Sequence, residues 1–312
     1  MTALPGSDID IFPINLGGNP FGWTTDEHAS YAVLDAFVGA GGNFIDTADA
    51  YTEWIDGNRG GESETILGRW LADRGNRHEV AVATKVGLSS SRPGLSADNV
   101  QAAIDDSLRR LQSDYVDLYY AHRDDDSVAI EDQVRTFHAL VESGKVRAVG
   151  LSNYSAERLR EWCETADRNG MTVPAAIQPR YNLMARSEYE TNIAPLVSEC
   201  GLSVFSFPAL ASGFLTGKYQ SESDFEGKAR GTAARRYFDA GGLTVVEALV
   251  EIAARRDVAP ATIAVAWLLA KGITAPIVSA SRPDQLDAVM AAPTIDLTQD
   301  EVSALDHASR DF

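Results

Sequence analysis

The chain has 312 residues, 45% of them apolar, which is enough to bury a large core. A charged fraction of 23% is not that of a disordered chain, and a net charge of −18 would repel nucleic acid and anionic membrane surfaces, so neither is expected as a partner, although a local basic pocket for a phosphorylated small molecule stays open. Two cysteines give no disulfide framework and suit the cytosol, no signal peptide is visible, and no run approaches the ~20 apolar residues of a membrane span, so a cytoplasmic location is expected.

In chain order, short apolar runs alternate with helical patterns. A strand at 12–16 leads through "LGGNPFG" into a helix at 25–38, opened by a Thr24-x-x-Glu27 capping box and closed at Gly39. Strands at 43–47 and 80–85 follow. Next come a helix at 96–111, with Val100, Ile104, Leu108 and Leu111 on one side, and a strand at 116–120. Helix 130–142, strand 146–151, helix 155–168, strand 175–178 and strand 203–207 continue the series. Cys163 shares the apolar face of helix 155–168 with Leu159, Trp162 and Ala166, as a structural thiol would. After a long irregular stretch at about 211–242 come helices 243–256 and 261–270, a strand at 274–278 and a helix at 282–290. A last helix opens at a Thr298-x-x-Glu301 box.

The strands are apolar at consecutive positions, as parallel strands buried on both faces are. Eight such units in 312 residues predict one domain, a (β/α)8 TIM barrel spanning residues 1–312 with a C-terminal helix and a long loop after strand seven. The rival is an open doubly wound sheet, which usually carries Gly-x-Gly-x-x-Gly after its first strand; "LGGNPFG" lacks that spacing.

Barrel sites gather at the C-terminal strand ends. Read there, strand two ends at Asp46 with Tyr51 in its loop, strand three at Lys85, strand four at His122, strand five at Ser152 and Asn153, and strand six at Gln178. Each has an ordinary explanation alone: a turn cap, loop packing, a solvated amine, a structural imidazole. Their convergence on one mouth favours chemistry. A phenol, with an ordinary pKa of about 10, is a poor acid at neutral pH. A cationic Lys85 would lower that value, Asp46 would hold the lysine, and a carbonyl oxygen between Tyr51 and His122 could be protonated as charge builds on it. No metal is expected, because the five histidines show no ligand spacing.

These residues, within "GNFIDTADAY", "GGESETILG", "ATKVG", "DLYYAHR", "GKVRAVGLSNYS", "IQPRYN", "LASGFLTGKY" and "PIVSASRPDQL", resemble the aldo-keto reductase superfamily over nearly the whole chain. The resemblance implies a nicotinamide cofactor and maps the family's catalytic tetrad onto Asp46, Tyr51, Lys85 and His122. It implies that Ser152, Asn153 and Gln178 hold the carboxamide, that Phe207 stacks on the nicotinamide, and that Leu210, Ser212 and Lys218 fold over the pyrophosphate. Ser281, Arg282 and Gln285 would take the adenosine 2′-phosphate and adenine, favouring NADP(H) over NAD. Gly18, Asn19 and Phe21 resemble residues near the cofactor, which Asp46 also borders. The chain departs from common family residues at Phe207 (often Tyr), Ala209 (often Pro) and Val289 (often Asn).

For a small carbonyl substrate, Trp23 and Trp54 are candidate walls, with Arg123 and Phe238 also in reach of the mouth. The expected reaction is NADPH-dependent reduction of an aldehyde or ketone. The chain also resembles the bacterial branch that is similar to potassium-channel β subunits. That raises a nucleotide-bound regulatory subunit as a second reading, and NADP-dependent oxidation of a sugar- or pyridoxal-like substrate as a third. No protein partner is implied.

Overall fold

The computed structural model describes residues 1–4 and 8–312. A short antiparallel hairpin, β1 (Thr2–Ala3) and β2 (Asp10–Ile11), precedes eight parallel strands. These are β3 (Asn15–Gly17), β4 (Phe44–Asp46), β5 (Ala81–Val86), β6 (Val116–Ala121), β7 (Val146–Ser152), β8 (Ala176–Gln178), β9 (Ser203–Val204) and β10 (Ile277–Val278). Their order, β10-β3-β4-β5-β6-β7-β8-β9, closes on itself. The Ile277 N–H donates to the Ser206 carbonyl at 2.9 Å, and the Thr274 N–H to that of Val204 at 3.0 Å. The (β/α)8 barrel expected from the alternation is the fold.

Strand register explains how the site is raised. Lys85 pairs with Tyr120, Tyr120 with Gly150 and Ser152 with Gln178, and side chains alternate with period two. The inward set begins with an apolar layer that includes Phe44, Ala83, Leu118, Tyr120, Phe205 and Ile277, plugged from below by Leu4, Ile9 and Ile11 of the hairpin. Two residues further along each strand the same inward face carries Asp46, Lys85, His122, Ser152 and Gln178. Gly150 keeps the interior compact, since a Cβ there would lie 2.4 Å from the Tyr120 ring. The outward face packs against the helices in a second cluster holding Phe37, Trp70, Ile104, Phe137, Trp162 and Trp267. Truncating one of these buried aromatics would cost about 3–5 kcal/mol.

The helices differ from expectation in several places. Helix α1 (Glu27–Gly39) is capped by Asp26, whose side chain accepts from the Ala29 N–H. Thr24 is not its cap; its hydroxyl bonds that of Ser281 at 2.9 Å. Helix α2 (Glu62–Arg74) is missing from the sequence reading. It starts after Gly61 in a left-handed turn with no side-chain cap, so the usual opening signal is absent, although Ile66, Leu67, Trp70 and Leu71 have helical spacing. Helices α3 (Ala97–Leu111), α4 (Ile130–Glu142) and α5 (Ala156–Arg168) fall as expected, and Cys163 is buried on α5. A π-turn at Tyr189–Ile193 running into α6 (Ala194–Cys200) was not foreseen.

The stretch read as irregular is largely helical. It holds 3-10 turns at Ala211–Thr216 and Glu222–Phe225, then α7 (Gly231–Asp239). Helices α8 (Leu243–Arg256) and α9 (Pro260–Ala270) follow. After β10 the helix placed at 282–290 is a 3-10 turn, Pro283–Gln285, continued by α10 (Leu286–Met290). The final α11 (Gln299–Ala308) carries the expected Thr298–Glu301 capping box. Among the described residues, no helix is long and apolar enough to cross a membrane.

Candidate active site

Four side chains meet at the C-terminal ends of β4, β5 and β6. Asp46 and Lys85 are fully buried, with the Lys85 Nζ 2.5 Å from Asp46 Oδ2. The same ammonium donates to the Thr47 carbonyl at 2.7 Å and to the Tyr51 phenol oxygen at 2.9 Å. The Tyr51 hydroxyl donates to Asp46 Oδ2 at 3.1 Å. Gln178 Nε2 donates to Asp46 Oδ1 at 2.9 Å, so both carboxylate oxygens are engaged. Tyr51 and His122 face each other with ring centroids 6.1 Å apart.

Electrostatics here run partly against the sequence expectation. Burial, followed by the Asp46 charge, pushes the Tyr51 phenol well above its ordinary value rather than below it. Burial also lowers the Lys85 ammonium, with Asp46 opposing. The phenol is therefore held protonated. His122 is pushed well below its ordinary value by burial, then by the charges of Lys85 and Arg123, which leaves a neutral imidazole. Its Nδ1 has no hydrogen-bond partner among the described residues. A protonated phenol and a neutral imidazole facing one space are two donors for a single acceptor oxygen.

On the neighbouring strands, Asn153 sits at φ 55°, a left-handed conformation that asparagine tolerates. Its Nδ2 donates to the His122 carbonyl at 2.9 Å and to Ser152 Oγ at 3.1 Å. Phe207 is half-buried against the barrel interior. Trp23 and Trp54 meet edge to face at 5.6 Å, and Trp54, 53% exposed, lies 6.3 Å from the Tyr51 ring. Arg230, absent from the sequence reading, has its guanidinium 5.5 Å from the Trp23 ring centre and its Nη2 3.4 Å from Asn19 Oδ1.

A cleft of about 560 Å³ runs beside this corner, lined by Leu210, Ser212, Lys218, Ser281, Arg282 and Gln285 as expected. Lys228, Arg230, Tyr219, Thr24 and Ser279 line it too, and were not singled out from sequence. Burial lowers the Lys218 ammonium, and the charges of Arg230, Lys228 and Arg282 lower it further, so four cations crowd one cleft. Arg282 is held by Asp284 at 3.0 Å. Ala211 and Ser212 have positive φ, and a Cβ at Gly213 would lie 3.0 Å from Lys218 Nζ. A tight turn edged by cations and hydroxyls fits the phosphates of a dinucleotide.

Two expected residues lie elsewhere. The Phe21 ring is fully buried in the outer core beneath Gly18, so it packs rather than faces the cleft. Phe238 packs edge-on against Phe225 at 5.4 Å and has no described ring contact with Tyr51, Trp54 or His122. Gly18 does border the site: its N–H donates to the Asp46 carbonyl at 2.7 Å, and a Cβ there would crowd Ser63 Oγ at 2.9 Å. Val289 and Ala209, both departures from the common family residues, are buried along the cleft.

A closed parallel barrel with a lysine–carboxylate–phenol cluster at its mouth defines an oxidoreductase class, and sequence comparison agrees. The chain belongs to the Aldo/keto reductase family, whose family model matches residues 13–310. It is 32% identical to norsolorinic acid reductase stcV of Emericella nidulans, over 96% of this chain and 78% of that protein. It is 33% identical to a probable voltage-gated potassium channel subunit beta of Oryza sativa subsp. japonica, over 85% and 82%. It is 30% identical to protein tas of Escherichia coli, over 97% and 95%.

Proposed function

We propose that the protein reduces an aldehyde or ketone to the alcohol with NADPH, Tyr51 supplying the proton. The observation that carries this reading is the single cluster in which the Lys85 ammonium touches both Asp46 Oδ2 and the Tyr51 hydroxyl. A bound reduced nicotinamide supplies a hydride to the carbonyl carbon. The chain's own residues do the rest. Tyr51 and His122 orient the carbonyl oxygen by hydrogen bonds, and Tyr51 gives it a proton, so that one carbonyl, one NADPH and one proton become one alcohol and one NADP⁺. Lys85 stabilises the phenolate left behind. It acts only as that charge develops, which reconciles a resting phenol of raised pKa with a role as acid. Asp46 keeps the ammonium in place.

Ser152, Asn153 and Gln178 hold the carboxamide in this reading, and Phe207 backs the ring. Lys218, Lys228 and Arg230 take the diphosphate. Ser281 and Arg282 read the 2′-phosphate, with Arg282 exchanging Asp284 for the ligand. Trp23 and Trp54 wall the substrate.

The test follows NADPH absorbance across a panel of aldehydes and ketones. Turnover with NADPH, and weaker binding of NADH, is the expected result. The potassium-channel β-subunit relatives favour a second reading, a regulatory subunit. Tight NADPH binding with negligible turnover across the panel, together with capture of a protein partner, would select it.

A further inference from the structure

The chain carries 45 acidic against 27 basic residues, and most of its arginines pair with a carboxylate. Arg110 pairs with Glu64, Arg158 with Asp124 and Arg256 with Glu301, each within 2.6 Å. Two of the exceptions stand at the mouth. Among the described residues, neither Arg123 nor Arg180 has a carboxylate oxygen within 4.0 Å.

Their positions match. Arg123 directly follows His122 beyond the end of β6, and Arg180 follows Gln178 by two residues beyond the end of β8. Those strands flank β7, so the two cations bracket Asn153, which is tied to the His122 carbonyl. Arg180 and Asn153 line one cavity of about 530 Å³ together with Ile177, Met184, Arg186 and Glu188, the last accepting from Asn192 at 3.0 Å. Among the described residues, the Arg180 side chain has one hydrogen-bond partner, the neutral Tyr237 hydroxyl at 3.3 Å. Of the three acids that follow Arg123, two are engaged elsewhere, Asp124 with Arg158 and Asp125 with the Leu95 N–H, while Asp126 is exposed and more than 4.0 Å from the guanidinium. Both guanidiniums are exposed, free to meet a ligand that arrives from solvent.

We propose that Arg123 and Arg180 form an anion-recognition pair at the rim, and that the physiological substrate is a carbonyl compound bearing a carboxylate or phosphate. This rests on the reductase reading above and names its substrate class. An anion at the rim would meet two unpaired cations, while the apolar remainder would lie against the tryptophan wall. The pair would also offset, locally, the repulsion that a chain of net charge −18 exerts on an anionic substrate.

The test compares matched substrates on the intact enzyme with NADPH: 4-carboxybenzaldehyde against its methyl ester, and glyceraldehyde 3-phosphate against glyceraldehyde. Wild-type enzyme should prefer the anion in at least one pair by about tenfold in kcat/KM, the worth of one charge-assisted contact. Which pair shows it separates carboxylate from phosphate. Arg123→Gln and Arg180→Gln should each cut that preference several-fold, mainly through KM, with a smaller ionic-strength dependence. The conservative Arg→Lys variants should keep part of it. Equal kcat/KM for anion and neutral partner in both pairs, or variants that leave the preference intact, would overturn the proposal. If no carbonyl is turned over, the reductase reading fails instead. Tryptophan-fluorescence titration of the NADP⁺ complex with the carboxylate and its ester then still decides whether the rim selects the anion.

Discussion

The catalytic corner and the cofactor cleft lie side by side and are built in opposite ways. In the corner every charge is answered within the protein: Asp46, Lys85 and Tyr51 satisfy one another, and Gln178 and the Thr47 carbonyl close the shell. In the cleft, Lys218, Lys228 and Arg230 stand together with no acid partner among the described residues, and burial together with the charges of Arg230 and Lys228 makes Lys218 costlier to keep charged. The corner is preorganised for a reaction, so its geometry precedes any ligand. The cleft stores repulsion that an anionic ligand relieves, so its stability depends on being filled.

Breaking the corner should have the largest effect. Lys85→Met removes the phenol's cationic neighbour and should lower turnover by about two orders of magnitude or more. It also strands a buried Asp46 carboxylate, so urea unfolding should show a loss of about 3–5 kcal/mol, the usual result of removing one partner of a buried pair. An unchanged unfolding midpoint would mean that Asp46 takes a proton and stays neutral.

Relieving the cleft should act on binding instead. Lys228→Ala or Arg230→Met should weaken NADPH about tenfold, equivalent to about 1.4 kcal/mol, while raising the melting temperature of the free protein slightly. Added salt should weaken NADPH binding in the wild type more than in either variant. Because Arg230 lies over Trp23, its replacement should also change the tryptophan emission response to NADPH. Variants that bind NADPH as the wild type does would remove these cations from the cofactor site.

A smaller effect comes from behind the corner. Asp49 is buried with no side-chain hydrogen-bond partner among the described residues, and burial, then the charge of Glu64, pushes its pKa up to about 8 against the opposing pull of Arg110 and the Ala50 N–H. The unfolded chain releases this proton near pH 3.8 while the folded chain retains it, so stability falls as pH rises between those values and levels off above about 8. Asp49→Asn should therefore raise the melting temperature by more at pH 8 than at pH 5. An equal difference at both values would mean that Asp49 is already ionised in the fold.

The corner was more legible in sequence than the cleft for a physical reason. Its residues sit at strand ends, where period-two alternation and the barrel's closure fix which side chains turn inward. Asp46, Lys85, His122, Ser152 and Gln178 follow from that alone. Lys228 and Arg230 lie in a stretch without periodicity, and only the folding of 211–239 over the cleft brings them to Lys218. Helix α2 was missed because a left-handed Gly61 opens it without a side-chain cap, and Thr24 resembled a cap while bonding Ser281 across the cleft. The pKa of Tyr51 was misjudged because pairwise reasoning from Lys85 omitted the larger effect of burial.

Tyr51→Phe, followed by single-turnover oxidation of bound NADPH with a reactive aldehyde, tests the central claim most directly. The ring, its packing and the cleft remain, and only the acidic hydrogen is lost. The account predicts a fall of about three orders of magnitude in the chemical step, with the NADPH dissociation constant within a factor of about two of wild type. A variant that turns over at the wild-type rate would contradict it.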